Sequence, residues 1–503
     1  MHSRNTLTVS FVLFLLVVTE GYGQRDSSRS TSRYWNAGSK EIWQTVDGIL
    51  NDPNLSGATW GVMIQAVNSG EVLYKRNENK LMNSASLVKL ITTASALNYL
   101  GAEYTYETQF RTSGVIENGQ LTGSLVVVGS GDPTISGKFT NQEVYSVFNS
   151  WADRLLELGI TGITGDLIGY DKYFDAPAAG AGWQWDHLAE WYSGLPSALA
   201  FNDNSADVII APGAIGEPAE VELSPDTRYV TVVNEVLTAP ADSVTSVKVI
   251  KLPGSNILKL SGVISLRDRS FTRSLSVDEP SEFFLQNLRE VLHRRGIKFR
   301  GRLKLASRMG DENILDGTTL LFRHRSRPFS EIVKLCNKNS HNFYAEQILK
   351  TMGLTEEGLG SVENGLKIER KWLGRAGIDP NSIRLVDGSG LSLLNLTSAE
   401  VFGRLLRYLY RSDDFSVFYN SLPVAGRDGS LADRLLDGNA ANNLRGKPGL
   451  NENVRSLAGY IKTADNETLS VVFIANNFLV PYSFIDSVID NICNRLSILK
   501  RKK

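Results

Sequence analysis

Two strand-like runs stand near the start of the chain, TWGVMIQAV (Thr59–Val67) and EVLYK (Glu71–Lys75), joined by the turn signal Asn68-Ser69-Gly70. A second pair stands near the end, VRSLAGYIKT (Val454–Thr463) and TLSVVFIANN (Thr468–Asn477), joined across ADNE. Apolar residues then recur at three- and four-residue steps, at Ile485, Val488, Ile489, Ile492, Leu496 and Leu499, which predicts a closing helix. Antiparallel hairpins at both ends, with helices before, between and after them, predict one central antiparallel sheet built from distant segments and flanked by helices, an α/β (α+β) fold.

The middle of the chain has a different texture. β-Branched residues and turn signals dominate in GSLVVVGSGDPT, ADVIIAPG, RYVTVVNEVL and VTSVKVIKL. This predicts a β-rich insertion over residues 104–212 and 279–305, with an inner lobe over residues 213–278 nested inside it. A helix from about Pro280 to Arg295 leads the chain back out. The host domain is then discontinuous, residues 35–103 and 306–499. A second helical stretch follows the insertion, SRPFSEIVKLCNKNSHNFYAEQILKTMG, with Ser330 as N-cap candidate and Gly353 near its stop. It breaks at NKNSHN, because Ser, His and Asn are poor helix-interior residues and good turn formers. Ser340-His341-Asn342 therefore sits on a short connection that projects into a cleft.

At 503 residues, 42% hydrophobic and 21% charged, the chain has the composition of a folded multidomain protein. A net charge of −1 gives no reason to expect nucleic acid as a partner. The N-terminus carries a thirteen-residue apolar run, TLTVSFVLFLLVV, after MHSRN and before the small residues GYG, so residues 1–23 read as a signal peptide for export to the periplasmic or equivalent cell-wall space. An uncleaved anchor is the rival reading. Residues 24–34 read as a mobile leader. Residues 500–503 read as a solvated basic tail, with contact to an anionic wall or lipid surface as the alternative. Two cysteines, Cys336 and Cys493, lie in helical patterns, and both a disulfide and two buried thiols stay open. Two cysteines and five scattered histidines make no metal-ligand spacing, so no metal is expected.

The chemistry starts at MNSASLVKLITTASALNYLG (Met82–Gly101), where Ser86 and Lys89 stand three apart on a predicted helix almost free of charge. Positions i and i+3 share a helix face, so the amine can reach the hydroxyl. Lys89 is either a solvated surface residue or the base that takes a proton from Ser86. As a base it needs a depressed pKa, since an ordinary lysine is only roughly 0.04% neutral at pH 7. Helix N-terminal amides and a second cation, Lys447, are the expected causes.

Three short motifs line up in chain order: Ser86-x-x-Lys89, Ser340-x-Asn342 and Lys447-Pro448-Gly449. Serine-type penicillin-binding proteins and class A β-lactamases carry S-x-x-K, S-x-N and K-T-G in that order. GSGDPT, GDLIGYDKYFD, GLPSALAFNDN, DGSGLS and LPVAGRDGSL add to the likeness. With its long insertion between Ser86 and Ser340, the chain resembles the D-alanyl-D-alanine carboxypeptidase/endopeptidase family of class C low-molecular-mass penicillin-binding proteins, the penicillin-binding protein 4 type (serine peptidase family S13).

The resemblance implies a serine β-lactamase/DD-peptidase-like domain and no cofactor. It implies peptidoglycan stem peptides and their cross-links as substrates, and β-lactam antibiotics as covalent inhibitors. Ser86 would be the nucleophile and Lys89 its base. Ser340 would relay a proton to the leaving amine, and Asn342 would hold Lys89 and the substrate amide. Lys447 would face the substrate carboxylate, and the backbone N–H groups of Ser86 and Leu450, the latter following Gly449, would form the oxyanion hole. His341 has no place in that relay and is expected at the surface or behind the site. DGSGLS is expected as a tight turn supporting the cleft.

Pro448 departs from the pattern, since the family's usual threonine there supplies a hydroxyl. A proline is tolerated where a strand's N–H has no ladder partner, such as an edge facing a cleft. Weakened or retuned carboxypeptidase activity is one consequence. A catalytically silent wall-binding protein and a β-lactamase are the rival functions.

Overall fold

The computed structural model describes residues 34–501 except 253, 311 and 312. The expected signal peptide and all of the leader but Tyr34 lie outside the described residues, as do Lys502 and Lys503 of the tail. Among the described residues no helix is long and apolar enough to cross a membrane.

The terminal hairpins meet in one five-stranded antiparallel sheet. Its order is Arg445–Asn451, Val454–Lys462, Thr468–Asn476, Thr59–Ala66, Val72–Arg76. Both faces are covered. Val62, Ile64, Val471 and Phe473 point to one side, against the helices Ser39–Leu50 and Tyr482–Ser497. Met63, Val472 and Ile474 point to the other, against Val88–Leu100, Phe329–Asn339, Asn342–Glu357 and Ala399–Leu409. A strand buried on two faces needs apolar residues at consecutive positions, which is why TLSVVFIANN shows no clean alternation.

Cys336 belongs to the core on one side of this sheet and Cys493 to the core on the other; both are buried free thiols.

The inserted segment builds its own sheets. A five-stranded one has the order Leu303–Leu305, Leu167–Tyr170, Leu125–Val128, Glu107–Thr112, Thr319–Arg325. Its last strand differs from the expected boundary at residue 305: TLLFRHR pairs antiparallel with Glu107–Thr112, so the insertion's sheet continues beyond it. The inner lobe also begins earlier than expected, because Ser205–Ala211 pairs with Glu220–Ser224 and Phe271–Ser276. Lobe and outer insertion share one apolar core, around Phe201, Val208, Leu260, Phe283 and Leu288. The helix Pro280–Arg294, expected to lead the chain out, packs within this core instead, and the chain leaves the insertion only after the strand Thr319–Arg325.

The tail is corrected in part. Leu499–Arg501 forms a strand beside Trp35–Ala37, and Arg501 pairs with Glu71 and Glu467. Gly353 does not end its helix, which runs on to Glu357 and stops at left-handed Gly358. A Cβ at Gly353 would come within 3.0 Å of the Gly365 nitrogen, so this glycine serves a close helix–helix approach.

Candidate active site

The helix that carries Lys89 is buried on all sides. Every residue from Val88 to Leu97 is inaccessible, including Lys89, Thr92, Thr93 and Ser95. An all-round buried helix shows no polar stripe, which accounts for the scarcity of charge in its sequence. The surface reading of Lys89 is excluded, as its side chain is 0% exposed.

Ser86 lies in the 3-10 turn Ala85–Leu87 that leads into this helix. The turn is anchored from several directions. Asn83 Oδ1 accepts the Ala85 N–H at 2.8 Å, and Asn476 exchanges two hydrogen bonds with the Asn83 backbone. Ser456 Oγ donates to the Ser84 carbonyl at 2.8 Å. Ala85 has φ 48°, a left-handed conformation costly for a residue with a Cβ. Gly390 supports it from outside: with φ 78°, a Cβ there would stand 2.0 Å from the Ala85 carbonyl oxygen.

Lys89 Nζ donates to Ser86 Oγ at 3.0 Å, to Asn342 Oδ1 at 2.7 Å and to the Ser389 carbonyl at 2.6 Å. Burial pushes its pKa down from about 10.5 to about 8, while the Asp387 and Glu346 carboxylates pull it up. The expected causes, helix amides and Lys447, are replaced by desolvation.

Ser340, His341 and Asn342 occupy the break between two helices, as their poor helix propensity requires. Ser340 is the left-handed C-cap of the first (φ 55°), His341 the extended N-cap of the second, and Asn342 its first residue. Asn342 Nδ2 donates to the Tyr192 carbonyl at 2.9 Å, so the amide is fixed in orientation between Lys89 and the insertion.

Lys447 reaches the same place from the sheet edge. Its Nζ donates to Ser340 Oγ at 2.7 Å and to the Pro448 carbonyl at 2.6 Å. Burial, then the nearby charge of Lys89, drives its pKa well below the ordinary value. Two lysines buried side by side cannot both hold a proton cheaply.

The strand Arg445–Asn451 pairs on one side only within the sheet. Gly446 sends its N–H away from the neighbouring strand, to the Pro423 carbonyl at 3.0 Å. With a two-residue period and no register shift, the backbone nitrogens of Pro448 and Leu450 face the same side. Pro448 thus costs the ladder no donor, and Leu450 directs its N–H towards the cleft. At Gly449 a Cβ would stand 2.3 Å from Ser456 Oγ and 3.1 Å from the Ser86 nitrogen, so glycine alone lets the strand approach the Ser86 turn.

The open space beside these residues is a cleft of about 730 Å³, lined among others by Ser86, Ser340, Asn342, Pro448, Leu450 and Tyr192. The insertion supplies one wall through residues 184–192. Trp183 Nε1 donates to Asp387 Oδ2 at 3.0 Å and ties that wall to the Asp387–Ser392 turn.

Sequence reasoning assigned no role to several residues behind the site. Of the two places expected for His341 it takes the one behind the site: it is 2% exposed, 3.3 Å from Asp203 Oδ2 and 2.8 Å from Lys138 Nζ, both from the insertion. Burial and then Lys138 hold its pKa below the ordinary value. Burial alone would raise the Asp203 carboxyl, but His341 and Lys138 outweigh it and hold it well below the usual range. Glu346 lies under the Asp387–Ser392 turn and accepts the backbone N–H of Gly388 and Ser389. The only sequence signal for these was a charge inside an otherwise apolar helix (YAEQIL) or an Asn-Asp-Asn turn. Among the described residues no grouping of His, Cys, Asp and Glu suits a metal ion.

The D-Ala-D-Ala carboxypeptidase 3 (S13) family model matches residues 42–492. The chain belongs to this family. The D-alanyl-D-alanine carboxypeptidase of Actinomadura sp. (strain R39) is 29% identical over 460 residues, 89% of this chain and 84% of that protein. The D-alanyl-D-alanine carboxypeptidase DacB of Haemophilus influenzae is 26% identical over 433 residues, 84% of this chain and 86% of that one. The crystal structure of penicillin binding protein 4 from Haemophilus influenzae shares the fold, with a TM-score of 0.78 at 23% identity over 90% of this chain and 99% of that chain. S13 membership and the shared fold agree with the α/β class and the DD-peptidase architecture expected from the motifs.

Proposed function

We propose that this S13 peptidase is an extracytoplasmic penicillin-binding D-Ala-D-Ala carboxypeptidase that works through an acyl-enzyme on Ser86 and also opens stem-peptide cross-links. The observation that carries the reading is the 3.0 Å contact of a fully buried lysine amine with the Ser86 hydroxyl. With its pKa near 8, Lys89 is roughly a tenth neutral at pH 7, against roughly 0.04% for an ordinary lysine. That neutral fraction supplies the base that a serine hydroxyl needs.

Ser86 Oγ attacks the carbonyl carbon of the penultimate D-Ala as its proton passes to Lys89. The developing oxyanion lies between the Ser86 and Leu450 N–H groups, and donors placed in this way are worth about 2.7–4 kcal/mol in the transition state. The C–N bond breaks as Ser340 passes a proton to the departing amine, replenished through the Lys447 and Lys89 amines beside it. Water then attacks the ester, releases the shortened peptide and returns the proton to Ser86. A substrate carboxylate arriving at Lys447 offsets the cost of that lysine's buried charge and so favours its protonated form. Asn342 keeps Lys89 aimed at Ser86.

Export rests on the apolar N-terminal run, and substrate class on the relatives named carboxypeptidases. A β-lactam labels a Ser86 nucleophile covalently. Incubation with fluorescent penicillin should give a stable adduct in the wild type and none in Ser86→Ala. Digestion of defined muropeptides, with products identified by mass, should show loss of a terminal D-Ala and separation of cross-linked dimers. Absence of any Ser86-dependent adduct overturns the reading in favour of a silent wall-binding protein, and rapid loss of the label points to a β-lactamase.

A further inference from the structure

Building on Ser86 and Lys89 as nucleophile and base, we propose that Glu346 and Asp387 form a carboxylate clamp that positions Lys89 and sets its proton affinity through two consecutive backbone peptides. Neither carboxylate touches the Lys89 amine. They act through the turn between them.

The first peptide joins Gly388 to Ser389. Its N–H donates to Glu346 Oε1 at 2.8 Å, and its carbonyl accepts from Thr92 Oγ1 at 2.8 Å. The Gly388 N–H adds further bonds to Glu346 at 3.1 and 3.2 Å. The second peptide joins Ser389 to Gly390. Its N–H donates to Asp387 Oδ1 at 2.8 Å, and its carbonyl accepts the Lys89 amine at 2.6 Å. A carboxylate on the N–H end of a peptide polarises the carbonyl at the other end, so Asp387 strengthens the Ser389 oxygen as an acceptor for a cation. Glu346 acts on the preceding peptide, fixes the turn that carries that oxygen and adds its charge nearby. The clamp also fixes the direction from which Lys89 is held.

Helix geometry ties the clamp to the direct ligand of Lys89. Asn342 and Glu346 are four apart on one helix and share a face. The first bonds Lys89 directly and the second through Ser389. The same turn presses Gly390 against the Ala85 carbonyl, so Glu346 and Asp387 place both members of the Ser86–Lys89 pair.

The charge balance around the clamp is tight. Asp387, Glu346, the Cys336 thiol, Lys447 and His341 all act on or respond to Lys89. Asp387, Glu369, Cys336 and Lys89 surround Glu346 in turn. Burial, and then the Asp387 charge, raise the Glu346 carboxyl above the usual carboxylate range, so its negative charge switches on at a higher pH than a free carboxylate's.

The full chain carrying [ε-¹³C]lysine, with Lys89 assigned through Lys89→Arg, tests the clamp by NMR titration from pH 5.5 to 10.5. Glu346→Gln keeps an oxygen for the Ser389 N–H and removes the charge. Its Lys89 midpoint should fall by about 0.5–1 pH unit, a three- to ten-fold loss of proton affinity. The wild type needs no variant: its Lys89 resonance should show a second inflection where Glu346 titrates, above the usual carboxylate range. An unchanged midpoint, or a wild-type curve without that inflection should the variant fail to fold, overturns the clamp. Neither readout requires turnover, so the two readings separate. A clamped Lys89 in a protein that takes no penicillin would refute the catalytic reading alone, and penicillin labelling with an indifferent Lys89 would refute the clamp alone.

Discussion

Lys447 Nζ donates to Ser340 Oγ at 2.7 Å, although 107 residues separate the two along the chain. The serine is held in a left-handed conformation, φ 55° and ψ 40°, that a residue with a Cβ adopts at a cost of roughly 1–2 kcal/mol. Strain of this kind persists where the surroundings over-determine it and clusters at functional sites. Here the surroundings are the Lys447 amine on one side and the buried His341–Asp203 pair, with Lys138 beside it, on the other.

Ser340→Gly should therefore separate stability from chemistry. Glycine relieves the left-handed backbone and removes the hydroxyl, so thermal stability should stay within about 1 kcal/mol of the wild type. Loss of a positioned proton relay should lower the second-order rate of penicillin acylation by roughly 10²–10⁴-fold. Stopped-flow acylation beside a thermal melt checks both. A variant that acylates at wild-type speed removes Ser340 from the mechanism.

The depressed pKa of Lys89 predicts a pH–rate profile. If the neutral amine is the base, as proposed, the reactive fraction rises about tenfold per unit below the folded value near 8. Acylation by penicillin should climb with that slope from pH 6 and level off above about 8. Stability carries the matching sign. The folded value lies below the unfolded one near 10.5, so the folded state bears the cost of a buried cation below pH 8 and sheds it as pH rises towards 10.5. A flat rate profile from pH 6 to 8 would show that another group takes the proton.

Glu369 gives a prediction free of catalysis. Its carboxyl is buried with neither oxygen bonded to another described residue, since the adjacent Thr92 hydroxyl donates to Gly388 instead. Burial lifts its pKa from 4.5 to about 8. The unfolded chain loses this proton first, so stability must fall as pH rises from about 4.5 to 8. Glu369→Gln should remove that component: near equal to the wild type at pH 4.5, and more stable by about 1–3 kcal/mol at pH 8. Urea melts across the range test it, and a difference that does not grow with pH contradicts it.

Much of the frame was legible because its signals are local. Paired β-runs, the three- and four-residue apolar period from Ile485 and the weak helix formers at NKNSHN are signals of this kind, and the structure follows them. The exception is Leu499, expected as the last apolar step of the closing helix: that helix stops at Ser497, and Leu499 begins a strand. The Ser86–Lys89 spacing was visible for the same reason. Lys89's burial was visible only as the absence of charge around it. What escaped depends on partners far away in sequence. TLLFRHR does not reveal that it pairs with Glu107–Thr112, nor Leu499–Arg501 that it pairs with Trp35–Ala37. Glu346 reads as one more helical charge until the turn at Gly388 closes over it, and Asp203 as a turn residue until His341 packs against it.

Pro448 is where this chain departs from the motif of its family, and it carries the last prediction. The residue lines the cleft, its nitrogen faces away from the neighbouring strand, and its carbonyl accepts from Lys447. Threonine fits this edge position without disturbing the ladder, because no strand hydrogen bond uses the nitrogen at 448. The new hydroxyl would stand beside Lys447 and supply a donor to the substrate carboxylate. A hydrogen bond to a charged group is worth about 1.5–3 kcal/mol, so Pro448→Thr should raise kcat/KM for a D-Ala-D-Ala peptide by roughly ten- to 150-fold. Penicillin acylation should rise as well, since that ligand also presents a carboxylate. If the threonine variant turns the peptide over no faster than the wild type, the proline does not limit carboxylate recognition, and the site has been retuned around it.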